Sequence, residues 1–393
     1  MRPLEGRRIW FVGIGGAGLS AYATIAAAWG AEVGGWDRVE TPYLEPLRGL
    51  EVVIEPEPVV PEGWEVVVSS AYAGGVAGKT RAEFLAELVS LRDSIVVAGA
   101  HGKTTTSGMI AFVLERLGRA PAFAIGGEIP QLGGNAGVGE GWFVVEGDES
   151  DRTIAALRPK IAVVLNVDLD HHSEFASLAD LRRLFDEWLE HVPHVVRADE
   201  LEPVDLDLAL AGDHNRVNAA AALAALELAG VARDEAEPLL ADFRGAGRRF
   251  ELRGETGGVL VYDDYAHHPA EIAATLAAAR DLARGRILVL FQPHLYTRTL
   301  HLAREFGRAL AGADAVAVAD VYAAREEPLD GVTGKLVVDA LSDARPGMRI
   351  AWTPQVAAGA RWLAGLARPG DVVLTVGAGD VDTAVPVLLE ELA

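Results

Sequence analysis

No cysteine occurs in the 393 residues. That excludes disulfides, thiolate zinc sites and a cysteine nucleophile. No run of eighteen apolar residues is present, so no membrane-spanning helix is expected. The first twelve residues lack the order of a signal peptide: charge is followed by a short strand and a glycine turn, with no cleavable apolar core. A cytoplasmic chain without stable membrane association is the expectation. Short-period repeats and low-complexity tails are missing too. Basic charge is scarce: 57 acidic against 35 basic residues leave a net charge of −22 and a pI near 4.8. Nucleic-acid binders usually show a basic face, so no such partner is expected. A phosphorylated ligand would have to be held locally, by backbone N–H groups, a few cations and a metal.

What is present is an ordinary globular composition, 50% apolar and 23% charged, with strands and helices alternating along the chain. That alternation implies an α/β fold built on parallel sheets with crossover helices. Three units in series are expected. The first, 1–93, opens with "RRIWFVGIGGAGLS", a strand, a glycine turn and a helix. The second, 94–247, opens with "SIVVAGAHGKTTTS" and closes at "FRGAGRRFE", whose glycines suggest a hinge. The third, 248–393, repeats strand and helix from "GVLVYDD" to "DVVLTVGAGD". Closure about hinges near Asp93 and Gly247 is expected.

The stretch "AGAHGKTTTS" at 98–107 resembles a phosphate-binding P-loop, although Val97 stands where the common pattern has its first glycine. It follows an apolar strand and opens a helix, the setting in which backbone N–H groups and a helix N-terminus cradle phosphate. Lys103 would supply a point charge and Thr104 a hydroxyl for Mg²⁺. A second Gly-Lys-Thr, at 78–80, has no strand running into it and reads as a chance match. "GIGGAG" at 13–18 fits G-x-G-x-x-G. Gly13, Gly15 and Gly18 make its turn, and Asp37 would be the ribose partner. The pattern suits any pyrophosphate over a helix N-terminus, a dinucleotide or a UDP-sugar alike.

Two acidic blocks follow neighbouring strands: "VVEGDESD" with Glu146, Asp148, Glu149 and Asp151, and "NVDLDHHSEF" with Asp168, Asp170, His171 and His172. Oxygen and imidazole donors beside a P-loop suit hard divalent cations. Glu146 and His171 are the expected ligands, most of the others being solvated. "YDDYAHHPAE" and "FQPHLYTRT" each end a strand of the third unit, where open parallel sheets bind ligands.

In this order, the P-loop, "DESD", "NVDLDHH", "GDHNRVNAAAAL", "GRRFE", "DDYAHHPAE", "FQPHLYTRT" and "VGAGD" resemble the Mur ligases, most of all their alanine-adding branch. The resemblance runs from Ile9 to about Asp380. It implies a Rossmann-like UDP-binding domain, a central ATPase with a mostly parallel sheet, and a C-terminal Rossmann-like domain. It also implies ATP-dependent amide formation. The lactyl carboxylate of UDP-N-acetylmuramate would take the γ-phosphate of ATP, and the amine of L-alanine would displace phosphate from the acyl phosphate.

Carried over by residue, Gly99, His101, Gly102, Lys103, Thr104 and Thr105 would hold ATP phosphates, with His214 and Asn215 near adenine and Asp320 near the ribose. Gly13, Gly15, Gly16, Gly18, Asp37, Ser69 and Ser70 would lie on the UDP-sugar side. Thr104, Glu146 and His171 would hold Mg²⁺. Lys103, His268 and Arg298 would serve the reaction, Arg298 on the amino-acid carboxylate. A monomer or weak homodimer is expected.

Three departures stand out. Leu295 replaces an arginine of many relatives, the stretch from His191 to Ala211 is short, and no lysine follows "NVDLDHH" for over thirty residues. The last removes any obvious counterpart of the carbamylated lysine of some sister ligases and so favours the alanine-adding branch. A ligase adding a whole murein tripeptide shares most motifs and remains the alternative. An NAD-dependent oxidoreductase built on "GIGGAG" would leave the P-loop and "FQPHLYTRT" unexplained.

Overall fold

Three sheets, each drawn from one successive stretch of chain, carry the fold in a computed structural model that describes residues 2–149, 152–168, 175–210, 212–324 and 326–393. The first contains β1 (Arg8–Val12), β2 (Glu32–Asp37), β3 (Glu51–Ile54), β4 (Glu65–Val68) and β5 (Lys79–Thr80), with helices α1 (Ala17–Ala28) and α2 (Arg81–Ser90). Its order is β3-β2-β1-β4-β5 and all its pairings are parallel. The order reverses beside β1, so the glycine turn that leaves β1 sits at the switch point where such sheets bind ligands.

The second sheet contains β6 (Ser94–Ala98), β7 (Ala122–Ile129), β8 (Gly134–Val138), β9 (Phe143–Glu146), β10 (Ile161–Val164) and β11 (His194–Arg197). Its helices are α3 (Lys103–Arg116), α4 (Leu178–Leu189), α5 (Asp213–Leu228) and α6 (Arg233–Ala241). The order is β11-β10-β6-β9-β7-β8, parallel except for the β7–β8 hairpin. Central β6 reads SIVVA and is buried throughout, as a strand covered on both faces should be. Helix α3 is buried from Thr104 to Leu114, because a helix behind a central strand has little solvent face.

The third sheet contains β12 (Glu251–Thr256), β13 (Val259–Asp264), β14 (Ile287–Phe291), β15 (Ala315–Val318), β16 (Arg349–Trp352) and β17 (Val372–Val376). Helices α7 (Pro269–Leu282), α8 (Tyr296–Leu310), α9 (Lys335–Ala344), α10 (Val356–Ala364) and α11 (Ala384–Glu391) cover it. The order β12-β13-β17-β14-β15-β16 places β17 between β13 and β14, so "DDYAHH", "FQPH" and "VGAGD" leave three adjacent strand ends. Separate apolar clusters form on the two faces, one with Phe291 and Phe306, the other with Leu290 and Leu363.

By compactness the chain divides into two units. One comprises Met1–Leu169, Ser177–Leu210 and Asn215–Ala246, and the other Asp170–Ala176, Ala211–His214 and Gly247–Ala393. The first two sheets thus share one unit. Inside it α1 lies against the β7–β8 hairpin, and Trp29 meets Phe143 edge to face at 5.4 Å. The strand and helix expectations match the observed elements within a few residues. Strands β3, β5, β11, β12 and β16, the hairpin β7–β8 and helices α6 and α10 are not foreseen, and the short strand expected within 197–213 is not found among the described residues. Strand β8 reads GNAGV, poor in β-formers, and α6 contains Pro238, which normally ends a helix. Among the described residues no helix is long and apolar enough to cross a membrane.

Candidate active site

The loop from β6 to α3 has the backbone form expected of a phosphate cradle. Gly102 is the N-cap of α3 with φ +83°. A Cβ there would stand 2.5 Å from Asn218 Oδ1, so both backbone conformation and space call for glycine. Gly99 is packed against Asn166. Asn166 straps the loop from both sides: its Oδ1 accepts from the His101 N–H at 2.8 Å, and its Nδ2 donates to the His101 carbonyl at 3.0 Å. Asn218 donates to Asn215 Oδ1 at 3.2 Å, and both asparagines are buried on α5. The "GDHN" block therefore does reach the loop through Asn215 and its unforeseen neighbour Asn218. Thr105 is buried on the first turn of α3.

Lys103 Nζ folds back over the loop. It donates to the Gly99 carbonyl at 2.6 Å and to Glu149 Oε1 and Oε2 at 3.1 and 3.2 Å. Burial opposes the ammonium charge, but Glu149, Glu146 and Asp148 outweigh it and raise the lysine above its ordinary value. The side chain is therefore held as a cation over the loop. Glu149 is buried at 2% exposure, so this member of "DESD" belongs to the site and not to a solvated loop.

Thr104 and Glu146 meet in the same place. Thr104 Oγ1 donates to Glu146 Oε2 at 2.9 Å, and the Gly126 N–H donates to the same oxygen at 2.7 Å. Gly126, on β7, lets the carboxylate approach: a Cβ there would lie 2.9 Å from Glu146 Oε2. Among the described residues no three His, Cys, Asp or Glu side chains converge on a metal position. A hydroxyl and one carboxylate nevertheless fit Mg²⁺, which keeps several waters and takes its other oxygens from substrate phosphates. The expected ligand His171 lies outside the described residues.

At the first sheet, Gly13 has φ +87°, and a Cβ on it would come within 2.5 Å of Ser69 Oγ. This places the strand end after β4 directly on the turn. Gly16 is the N-cap of α1, and Gly18 sits under Arg81. Asp37 is buried and pins the turn: Oδ2 accepts from the Gly15 N–H and Oδ1 from the Arg38 N–H, each at 2.7 Å. Its role in the structure is thus to hold the loop, and the Gly15 amide faces Asp37. Ser70 is exposed beside Ser69.

In the other unit, Asp264 accepts from the Phe250 and Ala266 amides at 2.9 and 2.7 Å. Burial pushes its carboxyl up to about 6, against the pull of Arg249. Arg248 ties Asp263 at 2.8 Å to the carbonyls of Gly377 and Gly379, joining the ends of β13 and β17. His268 is the N-cap of α7, its Nδ1 accepting from Ala270 N–H and Glu271 closing the box. Arg298 is 4% exposed and donates to His294 Nδ1 at 3.3 Å. His294 stacks on Tyr322 and meets the His267 ring at 6.1 Å. Leu295 adopts φ +70°, uncommon for a residue with a Cβ. Its amide donates to the Tyr322 carbonyl at 2.9 Å. Asp320 accepts from Gly334 N–H and Trp352 Nε1 at 3.2 and 3.1 Å. His214 opens α5 as an exposed side chain.

The second Gly-Lys-Thr is structural. Lys79 pairs with Glu87 at 2.8 Å, and Thr80 caps α2 with a reciprocal Thr80–Glu83 box. Asn166, Asn218, Gly126 and the buried role of Glu149 were missed from sequence. Asn166 follows β10 in a loop, where such a residue is expected for a turn alone, while Asn218 lies within α5 and Gly126 within β7.

The family described as Mur ligase, glutamate ligase domain, matches residues 248–379. The UDP-N-acetylmuramate–L-alanine ligase of Streptomyces avermitilis is 39% identical over 463 residues, covering 100% of this chain and 98% of the relative. That span exceeds the 393 residues present here, so the relative carries segments that this chain lacks. The crystal structure of the UDP-N-acetylmuramate–alanine ligase of Thermotoga maritima is similar at TM-score 0.78 and 26% identity, covering 98% of both chains. That of a murein peptide ligase from Psychrobacter arcticus shares the fold at TM-score 0.64 and 22% identity, covering 98% and 99%.

Proposed function

The chain belongs to the Mur ligases, and from that premise we propose that it joins L-alanine to the lactyl carboxylate of UDP-N-acetylmuramate, converting ATP to ADP and phosphate. A carboxylate is a poor electrophile until it carries a leaving group. Attack of a carboxylate oxygen on the γ-phosphorus expels ADP and forms an acyl phosphate. The neutral amine of L-alanine then adds to the acyl carbon, loses a proton, and phosphate departs with its bonding electron pair.

The observation that carries this reading is the convergence of Lys103, Thr104 and Glu146 at one loop, in a chain similar over all its 393 residues to an alanine-adding enzyme. Lys103 is assigned to the β- and γ-phosphates, where a fixed positive charge meets the charge in transit. Gly99, His101, Gly102, Thr105 and Asn215 are assigned to the cradle, with His214 and Asp320 on the nucleoside. Thr104 and Glu146, with His171, would hold Mg²⁺, which when bound neutralises phosphoryl oxygens. The turn Gly13–Gly18 with Asp37, Ser69 and Ser70 is assigned to the sugar nucleotide. Arg298, desolvated and paired to His294, is assigned to the amino-acid carboxylate, and His268 to the reacting end. The three sheets are assigned as three working domains, 1–93, 94–247 and 248–393.

Phosphate release measured with UDP-N-acetylmuramate, ATP and Mg²⁺ tests the reading. Turnover should appear with L-alanine. Turnover with a murein tripeptide and none with L-alanine would replace this function by the peptide-adding one.

A further inference from the structure

Asp148 and Glu149 are consecutive residues beyond β9, and they hold cations at two different loops. Glu149 holds Lys103 of the phosphate cradle at 3.1 Å. Asp148 holds Arg81 at 3.4 Å. Arg81 is the first residue of α2, and its Nη1 lies 3.4 Å from the place a Cβ on Gly18 would take. Its guanidinium therefore lies over the first turn of α1, beside the glycine turn. A second physical link runs in parallel. Strand β7 donates the Gly126 N–H to Glu146, while its hairpin partner β8 sends Asn135 Nδ2 to the Ala17 carbonyl at 3.2 Å, in the same turn of α1.

We propose that Arg81 is a positioning residue that couples occupancy of the glycine turn to occupancy of the phosphate cradle, through the Asp148–Glu149 segment. The inference rests on the functional reading above. A diphosphate at the N-terminus of α1 competes with Asp148 for Arg81, because both are anions within reach of one guanidinium. A triphosphate at α3 competes with Glu149 for Lys103. The two carboxylates share one stretch of backbone, so drawing the cation from one resets the other. Arg81 and Asp148 are 24% and 40% exposed, which makes their pair weak and exchangeable. Linkage requires the effect to be reciprocal: each nucleotide must change the affinity of the other by the same factor.

Calorimetry on the full chain tests this, with UDP-N-acetylmuramate titrated in the presence and absence of a saturating non-hydrolysable ATP analogue and Mg²⁺. The ratio of the two affinities in the parent chain should be at least about 5-fold. In Arg81→Ala and in Asp148→Asn the ratio should fall to within about 2-fold of unity while both ligands still bind, with Arg81→Lys intermediate. A parent ratio of one, or variants that bind both ligands with the parent ratio, would overturn the coupling and leave the functional reading intact. A parent chain that binds neither ligand would overturn the functional reading, and the coupling with it.

Discussion

Two of the four lysines of this chain stand in the tripeptide Gly-Lys-Thr, at 78–80 and at 102–104. At the first, Lys79 is 45% exposed and reaches Glu87, while Thr80 spends its hydroxyl on the Glu83 amide. At the second, Lys103 is 17% exposed over a loop whose glycine needs φ +83°, and Thr104 meets a carboxylate across the sheet. One copy ends a short edge strand; the other follows the central strand. The same three residues thus cap a helix in one place and assemble a charged cradle in the other. What differs is the strand that delivers them and the side chains that strand's neighbours supply.

The widest separation between the copies should appear on removing each lysine. Lys103→Ala should lower ATP-dependent phosphate release by about 10³-fold, the scale of losing a preorganised charge at a reacting group, with circular dichroism unchanged. Lys79→Ala should stay within about 2-fold of the parent. Equal losses would erase the distinction.

The threonines should part less far and along different axes. Thr104→Ala should raise the Mg²⁺ concentration for half-maximal rate by about 10–100-fold. Thr80→Ala should leave that requirement alone and cost about 1 kcal/mol in thermal stability, the usual loss of an N-cap.

The smallest effect concerns pH. Arg7 and Lys79 outweigh burial and hold Glu87 below the usual glutamate range, and Arg7 does the same for Glu65. A depressed carboxylate contributes stability above its unfolded value and loses it as pH falls through the folded one. Lys79→Ala should therefore be less stable than the parent near neutrality by about 0.2–1 kcal/mol. The two melting curves should converge well below the ordinary glutamate value of about 4.3. A gap that widens on acidification would contradict the pairing.

Much of the molecule is legible in the amino-acid sequence. The alternation of apolar runs and helices marked the central strands of three sheets, because a buried parallel strand can hardly be anything but an unbroken run such as "SIVVA", whereas edge strands such as β3, β5, β11, β12 and β16 carry no such run. The β7–β8 hairpin was illegible. Its glycines carry no pattern, and the value of one of them, Gly126, lies in letting Glu146 come near. Glu149 was taken for a solvated acid because charge in a loop is usually wet. Only the return of Lys103 onto it shows why it is buried. Asp37 was expected on a ribose, and the structure spends both its oxygens on backbone amides of its own turn.

The sequence by itself determined the α/β class, the central strands, and the strand-loop-helix setting that separates the Gly-Lys-Thr at 102–104 from the one at 78–80. Those properties depend on residues adjacent in the chain, where strand periodicity and turn chemistry act locally. The tertiary structure decided which carboxylate holds Lys103, which amide shields Glu146, and that Arg81 lies between Gly18 and Asp148. Those pairings join residues tens of positions apart, and the order of strands in each sheet, which no local pattern encodes, sets which of them meet.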